Sequence, residues 1–193
     1  MTTLIVKPED QPNQTLLQTT DPLAISDELG RRNIRFEQWQ AGQDLRPSAG
    51  QEQVLSAYDA DIQKLKAQGY DTVDVVALSP EPGNPDWPAK AAKARQMFLQ
   101  EHTHADDEVR FFVAGKGCFY LRVDGEVLIT MCEKGDLIWV PAGTTHWFDM
   151  GTQPMFTAIR FFRIPEGWVG EFTGNQISGR FPSFDELNAS TAT

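Results

Sequence analysis

The sequence has few cysteines, few histidines and no long apolar run. Among its 193 residues are two cysteines and three histidines. Cys118 and Cys132 are too few for a disulfide framework, so we expect a reducing cytoplasm and two small, buried thiols. No segment approaches the run of about 18 apolar residues that crosses a bilayer. The N-terminus lacks the basic and apolar regions of a signal peptide, which also favours a cytoplasmic protein.

Basic residues are also scarce. Lys and Arg number 17 against 27 Asp and Glu, which gives a formal net charge of −10. A chain of this sign repels phosphate backbones, so neither nucleic acid nor a membrane is an expected partner. The hydrophobic fraction of 40% is ordinary for a globular protein, and the length favours one domain. Nothing in the sequence demands a partner chain, so we expect a monomer.

The first half of the chain, residues 1–96, is predicted to be mixed and mainly helical. One helix stands out, because the apolar residues of segment 51–68 fall on a single stripe of period 3.6 and Gly69 follows them. The other patterns predict, in chain order, a turn capped by Ser26 and ended by Gly30, a strand within 33–40, a strand over 72–78, a proline-rich loop over 80–88 and a helix over 89–96.

From residue 97 the pattern changes to short apolar runs separated by turn residues. Asp124-Gly125 between two such runs is typical of a two-residue hairpin, and Gly115-Lys116-Gly117 is predicted as a further turn. Many short strands indicate a mainly β fold, an antiparallel barrel or jelly roll, with the helical N-terminal portion packed on it. We expect a single domain over 1–193, with the barrel over 97–187 and a loose tail over 188–193. The strand-like runs are 110–113, 118–123, 127–131, 137–140 and 156–164.

All three histidines lie in the strand-rich part. His102 and His104 are two residues apart, so on a strand both side chains point to the same face. Glu108 and Arg110 have the same parity unless the chain bends between them. His146 would join them from another strand. A His-x-His pair by itself is more often polar surface than a metal site, but three imidazoles and one carboxylate suit a divalent transition metal.

Two spaced motifs extend this pattern. The first is His-x-His, three residues, Glu, six residues, Gly, and the second is Gly, five residues, Pro-x-Gly, two residues, His. Together they resemble the two motifs of the cupin superfamily, whose members are antiparallel β-barrels. Gln96 and Met150 stand where that superfamily has Gly and Asn, and both are turn or packing positions rather than ligands. The matching residues are His102, His104, Glu108 and Gly115, then Gly135, Pro141, Gly143 and His146.

A closer resemblance covers essentially the whole chain. Segments 97–104, 107–111, 141–149 and 165–168 are similar to the signature of the acireductone dioxygenases. The resemblance implies one Fe(II) or Ni(II) per chain, held by His102, His104, Glu108 and His146. It also implies oxidation of 1,2-dihydroxy-3-keto-5-methylthiopentene by O2 in methionine salvage. The iron form would give formate and 4-methylthio-2-oxobutanoate, and the nickel form formate, carbon monoxide and 3-methylthiopropanoate.

Further residues are candidates for substrate contacts. Arg110 is expected to be catalytic, as a second positive charge that binds the substrate oxyanion; its alternative is an ion pair with Asp106, Asp107 or Glu101. Phe148 and Trp168 are expected to shape the substrate pocket, although ordinary core packing would also explain them. Glu101 could accept a hydrogen bond from a ligand imidazole or lie on the surface. The residues assigned to the core are Phe111, Phe112, Trp139, Phe161 and Phe162.

Two other classes of function share parts of this pattern. Another cupin enzyme, such as a sugar-phosphate isomerase or a different dioxygenase, would keep the ligands but need more cationic groups, which Arg122 and Arg160 could supply. A non-enzymatic small-molecule-binding cupin of a regulator would need a DNA-binding helix pair and a basic face. The acidic balance of the chain argues against that second class.

Overall fold

The computed structural model describes residues 1–42, 45 and 49–190. The strands are β1 (Thr3–Pro8), β2 (Leu17–Thr19), β3 (Arg35–Gln38), β4 (Thr72–Leu78), β5 (His102–His104), β6 (Glu108–Val123), β7 (Glu126–Glu133), β8 (Asp136–Val140), β9 (Thr145–Asp149), β10 (Phe156–Phe162) and β11 (Gly170–Phe172). The helices are α1 (Pro22–Gly30), α2 (Gln51–Ala57), α3 (Asp59–Lys66), α4 (Trp87–Gln96) and α5 (Phe184–Ser190), with a 3-10 turn at Ile177–Arg180.

The strands pair antiparallel and form two sheets that share β6. The larger sheet has the order β2-β1-β7-β6-β9-β5-β11, and the smaller has the order β4-β10-β6-β8-β3. The first part of β6 pairs with β8 and β10, and the second part pairs with β7 and β9. One strand of 16 residues thus links the two sheets, and the predicted mainly β, antiparallel architecture is confirmed.

The predicted turn at Gly115-Lys116-Gly117 is wrong, because these residues lie inside β6. Gly115 has a φ of +70°, and a Cβ atom there would lie 1.9 Å from the carbonyl oxygen of Met155. A left-handed conformation in so close a contact requires glycine. The glycine signal therefore marks the point where the strand passes from one sheet to the other, not a reversal of the chain.

Three apolar clusters hold the two sheets and the helices together. One lies between the sheets and includes Leu4, Phe119 and Ile138. A second lies on the outer face of the smaller sheet, where α2 and α3 cover it. The third lies on the outer face of the larger sheet under α5 and the 3-10 turn, and it includes the fully buried Cys118. Cys132 is equally buried in the first cluster, so both thiols are small core groups, as expected.

The N-terminal half is less helical than its composition indicates. Residues 1–96 contain β1–β4 as well as α1–α4, and these strands join both sheets. The predicted strands within 33–40 and over 72–78 are present as β3 and β4. The predicted helix over 51–68 is two helices, since the backbone of Tyr58 leaves the helical region with a φ of −115°. Helix α4 begins at Trp87, within the expected loop.

The start of the first helix and the C-terminal tail also differ from the prediction. Asp21, not Ser26, caps the first helix, and the Ser26 hydroxyl inside that helix donates to the carbonyl of Phe36. Helix α5 continues to Ser190, so the expected loose tail is helical over 188–190 and its residues 191–193 lie outside the described residues. Within 1–42, 45 and 49–190, no helix is long and apolar enough to cross a membrane.

Candidate metal centre

The barrel strands bring the four predicted ligands together. His102 on β5 lies directly opposite His146 on β9, while Glu108 begins β6. One ligand atom from each of His102, His104, Glu108 and His146 lies within 4.8 Å of the others, and all four side chains are buried. Strand alternation accounts for the pair on β5, since the residue between them points away. These residues form a metal-binding site.

Hydrogen bonds set the ring orientation of each histidine. The Nδ1 atoms of His102, His104 and His146 lie 2.7, 2.9 and 2.8 Å from backbone carbonyl oxygens. A carbonyl only accepts, so each Nδ1 is the protonated nitrogen and each Nε2 lone pair faces the cluster. The Nε2 atom of His104 is buried without a hydrogen-bond partner in the described part of the chain. Such an orphaned atom, with two further imidazoles and a carboxylate, fits a divalent transition metal.

The charges of His102 and Glu108 also favour coordination, whereas a proton on His104 would compete with a metal ion. Burial, helped by the charge of His146, lowers the pKa of His102 to about 4, so this imidazole is neutral at neutral pH. Burial alone would raise the pKa of Glu108, but Arg110 and the neighbouring histidines hold it well below its usual range. Burial opposes protonation of His104, yet its contact with Glu108 outweighs burial and raises its pKa. Neutral imidazole and ionised carboxylate are the forms that bind metal.

A cavity of about 250 Å³ opens beside His102 and Glu108. Its wall is mainly apolar, and its polar groups are concentrated at the ligands and at two arginines. Helix α4, which ends six residues before His102, and strand β4, which ends 24 residues before it, close one side. The apolar lining includes Val76, Leu78, Ala94, Met97, Phe98, Phe112, Phe119, Phe148, Met150 and Phe156.

Arg110 also lines this cavity and contacts one of the ligands. Its partner is Glu108, with Nη2 2.5 Å from Oε1, and not one of the three acids considered from the sequence. Its Nη1 atom is buried and makes no hydrogen bond to any described residue. Arg160 lies opposite it in the sheet and also lines the cavity, but both its Nε and Nη2 donate to the carboxylate of Asp74. Arg110 therefore has a buried donor, Nη1, left for a ligand.

The other predicted contacts have mixed outcomes. Phe148 lines the cavity and packs against the ring of Phe119. Trp168 is not brought to the cavity, since its side chain is 42% exposed in the segment before β11 and is absent from the described lining. Both expectations for Glu101 are wrong. It is only 1% exposed, accepts a hydrogen bond from Thr173, and pairs with Arg122 instead of a ligand imidazole.

The residues assigned to the core divide into two groups. Phe111, Phe161 and Phe162 are buried packing residues, whereas the buried Phe112 also lines the cavity. Trp139 is half-buried and donates from Nε1 to Asp107. The cavity residues on β4 and α4 were missed because no local pattern places these elements beside the barrel. Phe98 lies within the motif around His102 and could have been found there.

The barrel and its three-histidine, one-carboxylate cluster define a metal-binding cupin. The model of the ARD/ARD′ family matches residues 2–170. The chain is 50% identical over 188 residues to acireductone dioxygenase 1 of Nocardia farcinica, covering 97% of this chain and 99% of that relative. It is 52% identical over 186 residues to the acireductone dioxygenase of Parvibaculum lavamentivorans, covering 96% and 98%. The chain therefore belongs to the ARD/ARD′ family.

A solved structure supports the same relationship. An acireductone dioxygenase from Bacillus anthracis, with a cadmium ion in its active centre, superposes on this chain with a TM-score of 0.75. The two are 27% identical, and the match covers 89% of this chain and 98% of the other. The fold agrees over nearly the whole of the solved protein.

Proposed function

We propose that this chain is a metal-dependent dioxygenase that cleaves 1,2-dihydroxy-3-keto-5-methylthiopentene with O2, in the cytoplasm, as a step of methionine salvage. The observation that carries the proposal is a buried four-ligand cluster, two members of which, His102 and Glu108, line a mainly apolar cavity together with Arg110. Family membership supports the same reaction, because the relatives that cover nearly the whole chain are named acireductone dioxygenases.

The four ligands would hold one Fe(II) or Ni(II) ion. A bound ion would supply Lewis acidity and a template for the enediolate and O2. With four protein donors, such an ion would still have room to bind the oxygen atoms of the enediolate. With Fe(II) we expect formate and 4-methylthio-2-oxobutanoate as products. With Ni(II) we expect formate, carbon monoxide and 3-methylthiopropanoate.

The protein groups around the ligands would bind and orient the substrate. The free Nη1 donor of Arg110 would bind an oxyanion of the substrate, and its charge would favour the ionised form. Phe148 and its apolar neighbours would surround the methylthio tail, because sulfur packs well against aromatic rings. All three histidines would serve as ligands, so none would remain as a general base. Proton transfer would then fall to water or to the oxygen atoms of the substrate.

The geometry disfavours a sugar-phosphate isomerase. Both cavity arginines already contact a carboxylate, Arg110 with Glu108 and Arg160 with Asp74. A phosphate dianion needs several free donors, and the remainder of the cavity wall is largely apolar. A substrate with a compact anionic head and an apolar tail matches this distribution better.

Oxygen uptake with synthetic acireductone tests the proposal. The protein is stripped of metal, reloaded separately with Fe(II) and Ni(II), and its gaseous and acidic products are measured. We expect O2 consumption by both forms and carbon monoxide from the nickel form alone. A lack of turnover by both forms, with metal shown to be bound, would overturn the assignment.

A further inference from the structure

The three ligand histidines are supported in two different ways. The Nδ1 atoms of His102 and His146 face the carbonyl oxygens of Gln100 and Thr144, each two residues earlier in the same segment. The Nδ1 atom of His104 instead faces the carbonyl oxygen of Val169, 65 residues later, at 2.9 Å. The orientation of one imidazole therefore depends on a distant segment of the chain.

That distant segment, residues 163–173, follows β10 and includes β11; we call it the strap. Strand β11 lies at the edge of the larger sheet and pairs with β5 over only three residues. The strap lies close to the ligands, since a Cβ atom on Gly170 would lie 3.2 Å from Cδ2 of His102. Burial contributes little to its attachment, because its largest apolar side chains are 42–55% exposed: Ile164, Trp168, Val169 and Phe172.

A buried carboxylate fastens the start of the strap. Oδ2 of Asp106 accepts hydrogen bonds from the backbone N–H groups of Arg163 and Ile164, at 2.6 and 3.0 Å. Asp106 is 5% exposed, and its Oδ1 atom accepts from the N–H of Asp107. A buried carboxylate is tolerated only when such donors satisfy it, so carboxylate and strap fix each other.

A second buried carboxylate fastens the end of the strap. Oε1 of Glu101 accepts a hydrogen bond of 2.6 Å from the Thr173 hydroxyl, and the Glu101 carbonyl accepts from the Thr173 N–H at 3.1 Å. Arg122 balances the charge of Glu101 from the other side. Glu101 directly precedes His102, just as Asp106 lies between His104 and Glu108. Both anchors thus belong to the short segment that carries three of the four ligands.

We infer that Asp106 and Glu101 are positioning residues, which hold the strap so that the Val169 carbonyl orients His104 for metal binding. The inference rests on the proposed metal site but not on the proposed reaction. If an anchor is removed, the strap moves away and the His104 ring loses its acceptor, while the two locally supported rings keep theirs. The loss of such an outer partner weakens metal binding about 10-fold to 100-fold.

Proton NMR of the Co(II)-loaded protein tests the inference. Each ligand imidazole that binds through Nε2 carries an Nδ1 proton, which the paramagnetic ion shifts far from the other signals, so the wild type should give three such signals. In Asp106→Ala and Thr173→Val we expect one signal to be lost to water and two to remain. The Co(II) dissociation constant should rise about tenfold in both variants. Thr173 is exposed, so its variant removes a hydroxyl without disturbing the core.

Two variants separate positioning from general destabilisation. Asp136 is also buried and accepts from Thr2, Gln38 and the N–H of Glu133, but it contacts neither strap nor ligands. Asp136→Ala should lower stability and leave all three signals in place. Asp106→Asn keeps an acceptor oxygen for the strap and should restore the third signal.

Two results would overturn the inference. One is three unchanged signals and an unchanged Co(II) affinity in both Asp106→Ala and Thr173→Val. The other is equal loss of all three signals in the Asp106 and Asp136 alanine variants. A wild-type protein that gives three signals but does not turn over acireductone would refute the proposed reaction and leave the role of the strap standing.

Discussion

The two carboxylate oxygens of Glu108 contact different partners, and Arg110 contacts one of these oxygens. Nη2 of Arg110 lies 2.5 Å from Oε1, whereas Oε2 faces Nε2 of His146 at 2.6 Å and Nε2 of His104 at 3.4 Å. The guanidinium therefore contacts the ligand carboxylate and also lines the cavity. Burial lowers the pKa of Arg110, and the adjacent carboxylate of Glu108 partly offsets this lowering. The guanidinium therefore stays charged beside its counter-ion.

Replacing Arg110 should separate metal binding from turnover. In Arg110→Ala all four ligands remain, so we expect bound metal close to the wild-type amount and kcat/KM lowered at least about 100-fold, the typical loss of one donor to a developing oxyanion. Metal analysis and oxygen uptake measure the two quantities. Arg110→Lys keeps the charge without the forked donor, so its kcat/KM should lie between the values of the wild type and the alanine variant. Wild-type kinetics in the alanine variant would assign Arg110 a structural role.

His104→Ala should remove most of the bound metal and all oxygen consumption. The variant loses an imidazole whose Nε2 is buried and otherwise unpaired, so the remaining donors hold the ion less tightly. Metal content after gel filtration and oxygen uptake with acireductone are the measurements. Full activity in a metal-free His104→Ala protein would refute the ligand set.

Gly117 lies directly beneath the ring of Phe148. A Cβ atom at Gly117 would lie 2.3 Å from Cζ of Phe148, so Gly117→Ala forces the ring to move. We expect KM for acireductone to rise about tenfold, equivalent to about 1.4 kcal/mol of binding, with metal content unchanged. A substrate analogue without the methylthio tail should show a smaller change.

Gly179→Ala provides a matched control for that variant. A Cβ atom at Gly179 would meet nothing within 4 Å, so the same substitution adds a methyl group without displacing a neighbour. An equal rise of KM in both variants, or none in Gly117→Ala, would contradict a role for Phe148 in holding the tail.

Asp149 and Arg95 give the fold a defined dependence on pH. Arg95 donates to both carboxylate oxygens at 2.7 and 2.9 Å, and the N–H groups of Gly151 and Phe184 donate as well. Burial would raise the pKa of Asp149, but these donors outweigh it and hold the pKa below its usual value. A depressed folded-state pKa adds stability above the unfolded value of about 3.9, and that stability is lost as the pH falls through the folded value.

Asp149→Asn should therefore lower the free energy of unfolding by about 3 kcal/mol at pH 7, because Arg95 loses its counter-ion. The difference from the wild type should shrink as the pH falls below about 4 toward the lower folded-state pKa, because the unfolded wild-type chain takes up the proton first. Urea denaturation at about pH 7, 5 and 2.5 measures it. A difference that does not vary with pH would show that the charge of Asp149 is not what stabilises the fold.

The ligand cluster was predictable because its information is local. Strand alternation places His102 and His104 on one face, and the resemblance of the spaced Gly, Pro and His residues to the second cupin motif implies that His146 joins them. The hairpin at Asp124-Gly125 joins β6 to β7 as predicted, and Asp124 has a φ of +54° there. The barrel class follows from the same turn signals.

The rest of the site depends on contacts that no local pattern encodes. Strand β4 lines the cavity only because it pairs with β10, and the pairing of β1 with β7 joins residues more than a hundred positions apart. The ion pair of Arg110 with Glu108, two residues away, could have been considered from strand parity, but the burial of Glu101 could not. The single-domain boundaries and the monomeric state stay predictions.

The ligands of the metal site should differ in rigidity, because Glu108 lies on the shared strand β6 whereas the support of His104 adjoins the edge strand β11. Strands flank β6 on both sides, so its backbone amides should take up deuterium only when the whole protein unfolds, whereas β11 at the sheet edge can open locally. Glu108 thus belongs to a segment that should exchange slowly, and the carbonyl that supports His104 adjoins an edge strand that should exchange faster. An ion that joins both ligands should therefore slow deuterium uptake in β11 far more than in β6.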